Sequence, residues 1–227
     1  MENAEMKENE RKENFEDWVK FAEFVECDDG TRTKDKDFNK WVKLAKKRWD
    51  GNSVREKDFK EKMDSPGIYA IAYGKPDKTK FDFIEKIVYF GMTNSIGGLK
   101  SRLRQFYNTI WKKKSEHGGA SRFCFFFNVE KKIKDENWRK KLYVSIWPFQ
   151  DCDVDKYKNG CIHTKKEDKK VEKTLHRMGE IAKEEYYCFA EYVKKWGHMP
   201  PFNDKICSPK KEKKRQSLPI SVQYVRQ

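Results

Sequence analysis

The chain has no long apolar run. Its longest hydrophobic stretch, Phe123-Cys124-Phe125-Phe126-Phe127, falls far short of the ~20 residues that span a bilayer as a helix. No secretory signal is expected either, because the first residues, MENAEMKENERKEN, are charged with no apolar stretch behind them. Paired cysteines are missing as well: Cys27, Cys124, Cys152, Cys161, Cys188 and Cys207 lie far apart in a chain too long for a disulfide miniprotein. Reduced thiols in a soluble, cytoplasmic protein with no membrane partner are therefore expected. The spacing of Cys152, Cys161 and His163, with His176 beyond, lacks the short knuckles of common zinc sites. Cys124 and Cys188 stand in apolar contexts and read as core thiols. No internal repeat is visible.

What is abundant is charge and aromatic surface. Of 227 residues, 39% are charged, yet 16 Phe, 10 Tyr and 7 Trp supply enough bulk for a core, which argues against a disordered chain. The length fits one domain with an appendage. Net charge is +14, and 11 of those excess charges fall in two short segments, residues 100–114 and 205–215. A localised positive field suits a polyanion, most often nucleic acid, although Lys-rich faces also serve solubility.

Periodicity divides the chain. Phe15, Trp18, Val19, Ala22 and Val25 recur at helical spacing; further helices fit Asp37–Trp49 and Ser53 to Met63, so residues 1–64 read as a helical appendage behind a frayed lead-in. Lys40, Lys43, Lys46 and Lys47 there could touch backbone phosphates, although packing is the plainer role. The register changes at Pro66-Gly67. Strands are expected at Ile68–Tyr73, Ile84–Phe90, Arg122–Val129 and Lys141–Trp147, the first two as an antiparallel pair. A basic helix fits Leu99–Trp111. A polar loop over 151–166 leads to a long helix, Glu167–Trp196, stopped by Gly197 and Pro200-Pro201. The fold class is α+β: a small, mainly antiparallel sheet flanked by helices over 65–207, followed by a basic tail, 208–227.

Four pieces stand in a telling order: Gly67-Ile68-Tyr69 opening one strand, Tyr89-Phe90-Gly91 closing the next, Arg102-Leu103 on the basic helix, and Glu191 on the long helix with Asn203 twelve residues on. Each is weak alone, since a Gly-Ile-Tyr strand start is common and Glu191 has neighbours in Glu180, Glu184 and Glu185. Together, over about residues 65–204, they resemble the GIY-YIG nuclease superfamily. The resemblance implies Glu191 as the protein carboxylate on Mg²⁺ or Mn²⁺, which commonly binds through one or two carboxylates plus phosphate. It implies Arg102 on the scissile phosphate, Tyr69 as general base or water-positioner with Tyr89 beside it, and Asn203 supporting the turn after the Glu helix. Lys86 either assists or is a solvated strand end.

Two departures bear on the arginine. Family members often carry His or Tyr four residues after it; here that position is Phe106, with Tyr107 beside it, so Arg104–Tyr107 is an alternative pairing. Extra residues, Ser95-Ile96-Gly97-Gly98, set the helix back. Leu103 favours Arg102. His117-Gly118-Gly119 resembles a loop of restriction-type members, and reads otherwise as a Gly-rich turn with a polar His; an active-site or phosphate role is expected of His117. Lys100, Arg104, Lys112, Lys113 and Lys114 are expected to contact DNA backbone.

The resemblance thus implies a magnesium-dependent endodeoxyribonuclease, first of all a type II restriction endonuclease cutting a short site in double-stranded DNA, where a homodimer would match a palindrome's symmetry. A homing, mobile-element or repair nuclease is the alternative, and a catalytically silent DNA-binding protein of the same fold a third.

Overall fold

The computed structural model describes residues 2–21, 42–43, 45–46, 56–95, 97–112, 117–127, 136–150 and 165–203. Within them the chain is a mixed α+β fold around one four-stranded antiparallel sheet of order β1-β4-β2-β3. The elements are α1 (Glu2–Asn14), β1 (Val19–Lys20), α2 (Glu56–Asp64), β2 (Gly67–Tyr73), β3 (Ile87–Thr93), α3 (Gly98–Lys112), α4 (Gly118–Phe125), a 3₁₀ turn (Glu136–Lys141), β4 (Leu142–Pro148) and α5 (Lys165–Trp196).

The sheet buries both faces. Tyr69, Ile71, Val144 and Ile146 pack with Leu99, Leu103 and Phe106 of α3 and Ala120 and Phe123 of α4. Ile68, Ala70 and Ala72 pack on the other face with Phe15, Trp18 and, from α5, Ile181, Cys188 and Tyr192. Alternation of side chains along β2 explains the division. Alternation breaks in β3, where Ile71 pairs with Tyr89 but Ala72 pairs with Ile87, leaving Val88 unmatched. This bulge puts both Val88 and Tyr89 on the α3–α4 face, between Ile87 and Phe90 on the α5 face. Tyr89 therefore shares a face with Tyr69.

β3 is an edge strand, and its edge is covered. Phe202 N–H donates to Val88 O (2.9 Å), and the Asn203 carboxamide accepts from Phe90 N–H and donates to Phe90 O, both at 2.7 Å. The loop reaches there because α5 stops at Gly197, whose φ of +75° is a left-handed conformation that glycine takes without strain. Tyr192 Oη and Trp196 Nε1 donate to the carbonyls of Glu85 and Phe83, fixing the end of α5 against the chain leading into β3.

Three expectations are corrected. Phe15 to Phe21 do not form a helix: Val19 and Lys20 pair with Val144 and Tyr143, so this segment completes the sheet. Its aromatics satisfy a helical spacing while packing from an irregular chain, Phe15 stacking on Phe81 at 3.9 Å. The lead-in at 2–14 is instead the helix α1. Arg122–Phe125 is helical, not extended. The aromatic run suggests a strand, but Ala120, Phe123 and Phe126 at spacings of three bury one side of a helix that His117 caps. The remaining elements fall within a few residues of expectation. Most of the 37–49 helix, the 151–166 loop with Cys152, Cys161 and His163, and the 208–227 tail lie outside the described residues. Among the described residues no helix is long and apolar enough to cross a membrane.

Candidate active site

Tyr69 and Tyr89 stand side by side on β2 and β3, ring centroids 6.0 Å apart, and Tyr69 is fully buried. The close packing depends on two glycines. A Cβ at Gly91 would collide with the Tyr69 hydroxyl, and one at Gly119 would come within 2.5 Å of the Tyr89 ring. Of the His117-Gly118-Gly119 loop, then, Gly119 is needed for contact, whereas a Cβ at Gly118 would meet nothing.

His117 joins both tyrosines. Its Nε2 lies 2.6 Å from Tyr69 Oη. Its Nδ1 accepts the Ala120 N–H at 3.2 Å as the N-cap of α4, and its own N–H donates to Thr109 Oγ1 at 3.0 Å. Burial, then the positive charges of Arg102 and Arg122, lower His117 to about 3, so the ring is neutral near pH 7. A neutral ring with Nδ1 as acceptor carries its proton on Nε2, and His117 is therefore the donor to Tyr69. Phe106, at the position four after Arg102, lies 5.1 Å from the imidazole centroid. The polar group that Phe106 cannot provide is supplied from α4.

Arg102 is the guanidinium common to the cluster. It acts electrostatically on Tyr69, Tyr89, His117 and Glu185. Its Nη1 donates to Gln105 Oε1 at 3.1 Å, and its Nε is buried with no hydrogen-bond partner. Of the two arginines weighed from sequence, Arg102 is the one drawn into the tyrosine cluster. Tyr107 instead enters the core, edge-on to Phe21. Burial, and the neighbouring Tyr89, push the Tyr69 phenol well above its ordinary value of 10.0, with Arg102 working the other way. Burial also raises Tyr89, opposed by Tyr69, Arg102 and Arg122.

The carboxylate that approaches this cluster is Glu185. Burial raises it from 4.5 to about 7 against the attraction of Arg102, and its charge in turn raises Tyr89. Glu191, the residue singled out from sequence, lies elsewhere: its carboxylate is 3.6 Å from Arg11 Nη1 of α1 and 3.5 Å from Lys194 Nζ. Six residues along a helix turn the side chain through about 240°, so the two cannot share a face. A helical wheel anchored on buried Cys188 and Tyr192 would have separated them, since Glu185 follows that stripe and Glu191 follows Glu184, the other partner of Arg11 (2.9 Å).

The other sequence candidates are dispersed. Asn203 clamps Phe90, the residue between Tyr89 and Gly91. Lys86 donates to Asp77 (2.7 Å) and to Lys75 O at the far end of the hairpin. Lys100 and Arg104 are half-buried on α3; Lys113, Lys114 and the side chain of Lys112 lie outside the described residues. His176 is exposed, 3.8 Å from Glu172. Among the described residues no cluster of three or more His, Cys, Asp or Glu side chains is placed to hold a metal. A single carboxylate beside a guanidinium is a donor set that suits Mg²⁺, an ion that keeps several of its waters. Compared with known proteins, the chain matches no family model, no curated protein and no solved structure.

Proposed function

We propose that the chain is a metal-dependent endonuclease of the GIY-YIG kind acting on double-stranded DNA. The observation that carries this reading is the clustering of Tyr69 of β2, Tyr89 of β3 and His117 at the start of α4, with Arg102 of α3 and Glu185 of α5 near enough to act on them electrostatically, in a protein with net charge +14. A protein that merely bound DNA would gain nothing from a half-buried carboxylate near the arginine.

Glu185, in place of Glu191, would hold Mg²⁺ or Mn²⁺. The ion would supply charge neutralisation at the phosphoryl oxygens and a water of lowered pKa. The Arg102 guanidinium, with Nε lacking a partner, donates to the scissile phosphate, where a planar fork fits two oxygens. Because His117 donates to Tyr69 Oη, the phenol proton of Tyr69 is directed away from the imidazole. Burial keeps that phenol neutral, so Tyr69 acts first as a hydrogen-bond donor that orients the attacking water, and becomes a base only as added positive charge lowers it. Asn203 and Gly91 keep Tyr89 in register with Tyr69.

Within that class a type II restriction endonuclease is the finer reading. Plasmid and phage DNA incubated with Mg²⁺ or EDTA test both levels. Discrete, Mg²⁺-dependent bands lost in Glu185→Gln support a sequence-specific enzyme, and a smear or nicks a repair or mobile-element nuclease. No cutting with any divalent metal, while DNA is still bound, overturns the enzyme in favour of a silent DNA-binding fold.

A further inference from the structure

Arg122 has no part in the motifs read from sequence, yet its placement couples it to the same cluster. It lies one helical turn after Gly119, on the face of α4 that carries Gly119 against the Tyr89 ring. One of its five N–H donors is used: Nη1 donates to Phe202 O at 2.7 Å. That carbonyl belongs to the peptide between Phe202 and Asn203, the two residues that grip β3 on either side of Tyr89. Among the described residues the guanidinium has no carboxylate partner, and its side chain is half-buried with its remaining nitrogens not fully enclosed. Its charge also reaches the cluster, acting on both Tyr89 and His117.

A half-buried arginine pinned by a single carbonyl, with donors to spare and its charge acting on the same Tyr89 and His117 as that of Arg102, has the form of an anion-binding fork. We propose that Arg122 is a second phosphate-binding arginine of this site, contacting a backbone phosphate of the bound duplex while it braces the Phe202–Asn203 clamp. The inference rests on the nuclease reading and extends it: Arg102 takes the scissile phosphate, and Arg122 holds another phosphate of the same duplex.

The test is the salt dependence of binding to a short DNA duplex, measured by fluorescence anisotropy in Ca²⁺ for the full chain, Arg122→Gln and Arg122→Lys. Losing one phosphate contact should make the slope of log K against log salt shallower by about 0.9 in Arg122→Gln. Arg122→Lys, which keeps the charge and a donor, should retain the original slope. A purely structural brace would change the melting temperature and leave the slope alone. In the unsubstituted chain, phenylglyoxal modification read by mass spectrometry should show Arg122 protected by duplex DNA; this readout holds even where Arg122→Gln fails to fold. An unchanged slope in a folded Arg122→Gln, or equal modification with and without DNA, overturns the proposal while leaving Mg²⁺-dependent cutting intact. A full chain that neither binds nor cuts DNA overturns the nuclease reading and this inference with it.

Discussion

Glu185→Gln and Glu191→Gln, six residues apart on α5, should move stability in opposite directions. The Glu185 carboxyl titrates at about 7 when folded against an ordinary 4.5. Between those values the folded chain binds more protons than the unfolded one, so stability falls as pH rises through that window and is level above it. The shift of about 2.5 pH units at 1.36 kcal/mol per unit sets an upper bound of roughly 3 kcal/mol on the cost of ionising this group. Glu185 is half-buried and water screens it, so about 1–3 kcal/mol is expected. In EDTA at pH 8, Glu185→Gln should therefore be more stable than the parent by that amount, the gain vanishing near pH 4.5. Glu191 has the opposite circumstance. It pairs at 3.6 Å with Arg11, which is 8% exposed and keeps Glu184 at 2.9 Å; Glu191→Gln should cost about 0.5–1 kcal/mol. Urea unfolding followed by tryptophan fluorescence at several pH values reads both. The companion assay is DNA cleavage, which should disappear in Glu185→Gln and persist in Glu191→Gln. A Glu185→Gln chain no more stable than the parent at pH 8 would refute a carboxylate buried beside Arg102. Loss of cutting in Glu191→Gln alone would restore Glu191 as the metal ligand.

Three further outcomes follow from the same geometry. Because His117 is held near 3 when folded, against 6.5 when free, its contribution to stability is complete above pH 6.5 and is lost as pH falls; by pH 5 the parent should have lost ~2 kcal/mol that a His117→Gln chain does not lose, read as the difference between their urea midpoints across pH. Gly91→Ala drives a methyl into the buried Tyr69 ring and should cost about 1–3 kcal/mol in denaturant unfolding, with cutting reduced more than stability explains. Asn203→Leu removes both hydrogen bonds to Phe90 and should destabilise by about 1–3 kcal/mol while speeding amide exchange at Phe90, whose donor loses its partner; unchanged exchange there would refute the clamp.

The elements readable from sequence were those whose pattern is local. The unbroken apolar run Ile68–Tyr73, the alternation in Leu142–Trp147 and the apolar stripe Leu99, Leu103, Phe106, Ile110 each identify an element without reference to the rest of the chain. Tyr69 and Arg102 could be placed for the same reason, being carried on such elements, whereas His117 caps a helix that the aromatic run disguised and was marked only by its glycine neighbours. Where spacing suited two structures, the partner decided. Trp18 and Val19 fit a helix, but β4 offered an open edge to pair with; Arg122–Phe125 fit a strand, but a histidine cap and the Tyr89 ring selected a helix. The Val88 bulge leaves no mark in composition, although it is what turns Tyr89 toward Tyr69. The different surroundings of Glu185 and Glu191 lay furthest from the sequence. Both sit on one long helix with similar flanks, and the charges that distinguish them belong to residues far along the chain, Arg102 for one and Arg11 for the other. Backbone periodicity is written into consecutive side chains, whereas the electrostatic environment of a carboxylate is set by whatever the fold brings within a few ångströms of it.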